Sequence, residues 1–228
     1  MKYFSDYIYS LIEGFGNTVL LFSITLLLAL PLGLLLAFGS MSRLRPVKYT
    51  VKGFIWIIRG TPLMLQILLV SFLPSLLFKL KNVEVADFFG LSTISLMFLF
   101  VAIAFSINYS CYFSEIFRAG IEGVSVGQTE AGEVLGLSKG QIFSRVILMQ
   151  VVKRTVPPMS NEIITLVKDT ALARVLGVID LLVSSQLAVN DYAVLAPLVW
   201  AALFYLVFNG LLTLLFGFVE RKLSYYKV

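Results

Sequence analysis

The sequence predicts an all-α integral membrane domain of five spanning helices. Its N-terminus is placed outside, its C-terminus in the cytoplasm, and a cytoplasmic helical loop joins the third and fourth spans. Three observations lead there. The 228-residue chain is 59% hydrophobic and 14% charged, against roughly 45–50% and 25% in soluble domains. Its apolar residues gather into runs long enough to cross a bilayer. Its basic residues gather in particular loops, which orients those runs.

Taken in order, the first span (16–41) rests on Asn17 to Ser42, which carries no charge. The second (53–78) rests on Phe54 to Phe78, interrupted by Arg59 and Gly60. The third (91–117) holds the uncharged run Leu91 to Ser114, and the last (193–219) the uncharged run Ala193 to Val219. Arg43, Arg45, Lys48 and Lys52 follow the first span without an acid, and Arg221, Lys222 and Lys227 follow the last. Excess Lys and Arg marks cytoplasmic loops, so both groups face inward. An even number of spans must then separate them, which requires a further one at 145–168. That segment holds Pro157, Pro158, Asn161 and Glu162, so it must face protein or a water-filled path. The paired prolines are expected to break it and free carbonyls. Reading 145–168 as cytoplasmic or interfacial would leave one basic end outside. Met1 to Phe15, Lys79 to Gly90 and Thr170 to Tyr192 then lie outside, with Ala171 to Asn190 as a short outer helix and loop.

Several chemistries are not expected. Met1 to Glu13 carries two acids and lacks the basic n-region of a signal peptide. Cys111 is the lone cysteine and there is no histidine, which argues against a disulfide framework and against zinc or haem. No phosphate-binding loop and no nucleophile–base pair is present, so the chain should be neither an ATPase nor another enzyme. The net charge of +5 is accounted for by the inner loops, which leaves nucleic acid without a role. Residues 1–228 read as one domain without internal repeats.

The polar stretch SVGQTEAGEVLGLSKGQIFS (125–144) interrupts this apolar background. Thr129 is placed to cap a short helix whose first turn carries Glu130 and Glu133, acids that suit the positive end of the dipole. Gly136 is placed to end that helix in a left-handed conformation. Ser138 and Gln141 have the capping-box spacing that restarts a helix at once. Ala131, Val134, Leu135 and Leu137 supply an apolar face for a docking partner.

With these residues in view, GQTEAGEVLG followed by VILMQ resembles the EAA loop of ABC importer permeases. GNT (16–18), RGTP (59–62), YFSEIFRAGI (112–121) and PPMSNEIITLVKDTAL (157–172) are similar to the histidine/glutamine-type branch for polar amino acids. The resemblance implies a permease subunit of an ATP-driven amino-acid importer in the bacterial inner (cytoplasmic) membrane. It implies that Gly127, Gln128, Glu130, Ala131, Gly132, Leu135 and Gly136 form a coupling helix seated in a groove of the ATPase. It also implies partners: two ATPase subunits holding ATP and Mg, a second permease chain, identical or related, an extracellular or periplasmic solute-binding protein, and surrounding lipid. Two positions depart from the pattern. Gly132 stands at the third alanine, where it is expected to cost about 0.5–1 kcal/mol of helix stability, and Met149 stands at the usual proline.

For the translocation path, Glu162 and Asp169 lie seven apart and so share a helix face. Glu162 is expected to bind a substrate ammonium, with pairing to a neighbouring Arg or Lys as the alternative. Asn108 is suited to hydrogen-bond a substrate carboxylate or amide, or to join helices, and Gln66 is a weaker candidate. Arg59 and Pro62 mark a helix disruption at which Arg59 should pair with an acid near the inner mouth. Glu115 and Arg118, with Glu122, should brace the cytoplasmic end of the third span. The alternative function is a self-contained secondary amino-acid transporter, which also uses broken helices and buried acids but works without an ATPase.

Overall fold

A computed structural model describes residues 4–224; Lys227, counted above among the inner bases, lies outside them. Among the described residues ten α-helices follow one another: α1 (Phe4–Ser40), α2 (Arg45–Arg59), α3 (Leu63–Phe78), α4 (Asn82–Phe88), α5 (Thr93–Glu122), α6 (Val126–Val134), α7 (Lys139–Ile142), α8 (Leu148–Asp169), α9 (Leu181–Tyr192) and α10 (Ala196–Leu223). A π-helical turn, Phe143–Ile147, leads into α8, and a 3-10 stretch, Thr170–Leu176, follows it. No strand occurs among the described residues. Three helices are long and apolar enough to cross a bilayer, Tyr7–Ser40, Thr93–Glu122 and Ala196–Leu223, and two bent helix pairs bring the number to as many as five.

The hub is α5. Val101, Ala104, Phe105, Tyr109 and Phe113 along it are buried among α1, α3 and α8. Lipid offers apolar side chains no hydrophobic gain from leaving it, so close packing must hold such helices together, and small residues allow it. A Cβ on Gly33 of α1 would lie 2.9 Å from that of Phe113, and one on Gly120 of α5 would collide with the Thr155 methyl of α8. By contrast, the most apolar window of α10 holds no fully buried residue, and Phe208, Leu212 and Phe216 are only half-buried against the core.

The second span, read over 53–78 with a disruption at Arg59–Pro62, is broken there as expected, and by more than the sequence indicated. It divides at Gly60–Pro62 into α2 and α3, which meet at 110°. Proline cannot donate to the preceding turn and turns the residue before it away from helix. The groups released there are taken up by two side chains: Gln66 Nε2, with two hydrogens, lies 2.7 Å from Ile58 O, 2.8 Å from Thr61 Oγ1 and 3.1 Å from Thr61 O, and Thr61 Oγ1 donates to Ile57 O at 3.0 Å. Asn108 Nδ2 of α5 donates to Gln66 Oε1 at 2.9 Å and fixes that amide in turn.

The expected break at Pro157 and Pro158 does not occur. Both lie inside α8, 22 residues without interruption, about 33 Å long. Two ladder donors are missing, yet proline's fixed φ is itself helical. Ser160 Oγ bonds Val156 O at 2.7 Å and reaches Glu220 Oε1 of α10 at 3.2 Å, so neighbouring packing holds the helix through the pair.

Over 171–190, where a short helix and loop were expected, stand the 3-10 stretch and α9. Asp180 caps α9 by accepting from Val183 N at 2.9 Å, and Tyr205 Oη of α10 donates to it at 3.4 Å. Burial pushes the Asp180 carboxyl above the usual carboxylate range, against the backbone amides that hold it down. The GNT block meets the same corner: Asn17 Nδ2 donates to Ile179 O at 2.8 Å, and Leu181 N donates to Thr18 Oγ1 at 3.2 Å.

Candidate functional site

Two places gather the residues singled out in the sequence. The first is the polar loop. Helix α6 begins directly after Ser125, so Thr129 lies inside it and is not its cap; Ser125 itself forms no side-chain cap bond. Glu130 and Glu133 accordingly lie in the middle and last turn of α6. Its end is as expected: Gly136 adopts φ +73°, and Leu137 N donates back to Gly132 O at 3.0 Å. A side chain at that φ would be strained, which is the reason for glycine. The restart is also as expected, with Ser138 N donating to Gln141 Oε1 at 2.9 Å and Gln141 N to Ser138 Oγ at 3.4 Å.

Gly132 has a reason that helix propensity misses. It is buried against Ile142 of α7, and a Cβ there would lie 2.8 Å from Ile142 Cγ1. Glycine lets α6 and α7 close onto each other, and that packing offsets its cost to the helix. The outward side of the pair is bare: Val126 is 73% exposed, Val134 87% and Leu135 78%. Gly127, Gln128, Glu130 and Ala131 are exposed as well, and Leu137 is half-buried. Gln150 Nε2 of α8 donates to Gln128 Oε1 at 3.2 Å, which ties the exposed element to the proline-bearing helix.

The second place is a cavity of about 430 Å³ whose lining includes Arg59, Tyr112, Glu115, Arg118, Arg154 and Glu162. Arg118 grips Glu115 through two contacts, Nη2–Oε2 at 2.6 Å and Nε–Oε1 at 3.2 Å, and bonds Glu122 Oε2 at 2.6 Å. The braces expected among these three residues are therefore present. Arg59 reaches from the break at 60–62 to Glu115, at the longer distance of 3.7 Å, and its guanidinium lies 5.0 Å from the centre of the Tyr112 ring. The expected pairing of Arg59 with an acid is thus observed. Glu162 shares this cavity, and among the described residues no ion pair or hydrogen bond engages its carboxylate.

The other candidates lie elsewhere. Asn108 and Gln66 are buried and bonded to each other beside the break. Asp169 accepts from Tyr109 Oη at 2.7 Å, joining α8 to α5. Pro62 is the extended residue that precedes α3. Two cavity residues were not anticipated. Tyr112 lies one turn before Glu115 within YFSEIFRAGI, where its spacing to the acid was the available signal. Arg154 lies two turns before Glu162 on α8 and so shares its side of the helix.

The chain was compared with known proteins. A family model described as "Binding-protein-dependent transport system inner membrane component" matches residues 29–225. The arginine transport system permease protein ArtQ of Bacillus subtilis (strain 168) is 34% identical, covering 94% of this chain and 92% of its own. The L-cystine transport system permease protein TcyB of the same strain is also 34% identical, covering 93% and 86%. The putative glutamine transport system permease protein GlnP of Rickettsia bellii (strain RML369-C) is 31% identical, covering 96% and 95%. Among solved structures, a crystal structure of an amino acid ABC transporter with histidines superposes with TM-score 0.81 at 29% identity over 96% of each chain. An inward-facing MetNI methionine ABC transporter superposes with TM-score 0.63 at 14% identity, a likeness of fold.

Proposed function

Because this chain belongs to the family of binding-protein-dependent transport system inner membrane components, we propose that it is the permease subunit of an ATP-driven amino-acid importer. It crosses the bacterial inner membrane five times, with the N-terminus outside and the C-terminus in the cytoplasm. The basic stretch 43–52 and the end of α10 support that orientation. It works with a second permease chain, two ATPase subunits that hold ATP and Mg, and an external solute-binding protein.

The observation that carries this reading is the bare apolar edge of α6, Val126, Val134 and Leu135, on a frame stiffened by the Gly132–Ile142 contact and two caps. Docking into an ATPase groove would bury these side chains at about 1.5–3 kcal/mol each when fully covered. Closure of the ATPases on ATP then moves α6 as a unit. The Gln128–Gln150 bond and the unbroken α8 carry that displacement toward Glu162. Rigid-body motion of this kind alternates access between the two sides.

In the cavity, Glu162 takes the substrate ammonium, since it faces that space with its carboxylate unengaged. Charge-assisted hydrogen bonds of this type are strong where water is scarce. Asn108, Gln66 and Asp169 position the helices around the path through the bonds described above and do not touch substrate. Arg59, Pro62, Glu115 and Arg118 set its inner mouth.

The test is ATP hydrolysis in nanodiscs holding this chain with its ATPase. Glu130→Lys and Leu135→Asp are expected to abolish co-purification with the ATPase or substrate-stimulated hydrolysis while insertion is kept. Glu162→Gln should keep the complex and lose stimulation by amino acid. Unchanged assembly and stimulation in both loop variants would overturn the docking role. Transport by this chain without any ATPase would favour a self-contained secondary transporter.

A further inference from the structure

Helix α2 has features that a transmembrane helix cannot keep. Arg45, Lys48 and Lys52 fall at i, i+3 and i+7, one face of the helix, and Arg43 stands just before it. No acid occurs anywhere from Arg43 to Val83 in the sequence, and across the fold Lys52 lies within electrostatic reach of Glu115 of α5. Arg45 and Lys48 lie in the first turn, where the helix dipole disfavours cations. Their presence there does not serve the helix itself, and it concentrates positive potential on one face. Round the helix from the bases, Val47, Phe54 and Ile57 form an exposed apolar side. Tyr49 and Trp56, 68% and 76% exposed, flank the basic face. Tyr and Trp are enriched at the level of lipid headgroups.

The geometry agrees with the chemistry. Helix α2 leaves α3 at 110°, so the two cannot cross the bilayer as one rod. It leans on the last turns of α1, where a Cβ on Gly39 would lie 3.1 Å from Val51 Cγ2, and Arg59 reaches Glu115 near the end of α5. Both long helices end on the side where α2 lies. A strongly two-sided helix with bases on one face and aromatic flanks rests in the membrane surface, apolar side down.

We propose that α2 lies in the plane of the membrane and holds anionic phospholipid headgroups on Arg45, Lys48 and Lys52. A lipid surface is the occupant that matches both faces at once, acidic headgroups for the bases and acyl chains for Val47, Phe54 and Ile57. Each basic residue near the surface prefers an anionic to a neutral membrane about fivefold, and the same preference, expressed locally, favours anionic lipid beside α2.

The chain has two tryptophans, so Trp200→Phe leaves Trp56 as the sole reporter. The full-length variant is placed in bilayers of phosphatidylcholine and phosphatidylglycerol at a fixed ratio, with bromine on the acyl chains of one or the other. Brominated phosphatidylglycerol should quench Trp56 emission more than brominated phosphatidylcholine, corresponding to an enrichment of at least about fivefold, and added salt should narrow the difference. Arg45→Gln, Lys48→Gln and Lys52→Gln together should bring the two lipids to parity. Arg45→Lys, and Lys79→Gln with Lys81→Gln beyond α3, should leave the preference intact. Equal quenching by both lipids in the chain with all its bases would overturn the proposal. So would the absence of quenching by either, which would mean that protein, a second copy or another subunit, covers the helix.

Discussion

Of the regions that carry proline where a continuous helix would be simplest, two behave oppositely. At Gly60–Pro62 the chain turns by 110°, whereas at Pro157–Pro158 it continues as α8. The difference does not lie in the number of prolines, since the region with more of them is the unbroken one. It lies in what neighbouring side chains offer the backbone. At the first site Gln66 supplies a donor to Ile58 O and Thr61 O, and Asn108 locks the Gln66 amide. At the second, the hydroxyls of Thr155 and Ser160 bond carbonyls of their own helix, at Val152 and Val156. Proline permits a break, and a partner for the released groups decides whether one forms.

That comparison can be broken most directly at Gln66. Gln66→Leu leaves buried Asn108 Nδ2 and half-buried Thr61 O without their partner, while Thr61 Oγ1 still serves Ile58 O; at about 1–3 kcal/mol for a buried group, the loss should be about 2–3 kcal/mol. It would be read as a large fall in Tm of the detergent-solubilised protein. An unchanged Tm would mean that the Gln66 network does not hold the break. Next in size, Pro157→Ala with Pro158→Ala should raise stability by about 1–3 kcal/mol, because two ladder donors return to a helix that already exists. A lower Tm would show that the prolines relieve a steric conflict. The smallest effect belongs to Pro62→Ala, within about 1 kcal/mol, because Gln66 still holds the turn. A spin-label distance from α2 to α3 should be unchanged, and lengthening toward a straight rod would place the cause of the break in Pro62 itself.

What sequence reasoning could and could not reach follows the same division. Uncharged runs foretold α1, α5 and α10 because their signal is additive along the chain. Gly60 and Pro62 were visible as a disruption, but a hydropathy window sums across a bend, so the 110° angle between α2 and α3 was not legible. Gly136 and the Ser138–Gln141 box were legible because caps are made within a few residues. Thr129 was mistaken for a cap because Ser125, four positions earlier, fits the same rule, and helix length decided between them. The merit of Gly132 depends on Ile142, and the bond of Asn108 depends on Gln66, 42 positions away. Such pairings are set by how helices stack, which neither propensity nor spacing encodes. For the same reason Arg154 entered the cavity unannounced, while Arg59 and Glu115 were singled out separately and met there.

The chain of ion pairs at the end of α5 has an electrical consequence. Arg59 and Arg118 face Glu115 and Glu122, two positive groups against two negative. Moving one elementary charge through a membrane potential involves roughly 2.3 kcal/mol per 100 mV. A cluster that carries as much negative as positive charge, and moves together, exchanges almost no such work with the field. The membrane potential of a living cell therefore does almost no net work when these four side chains are displaced as one body.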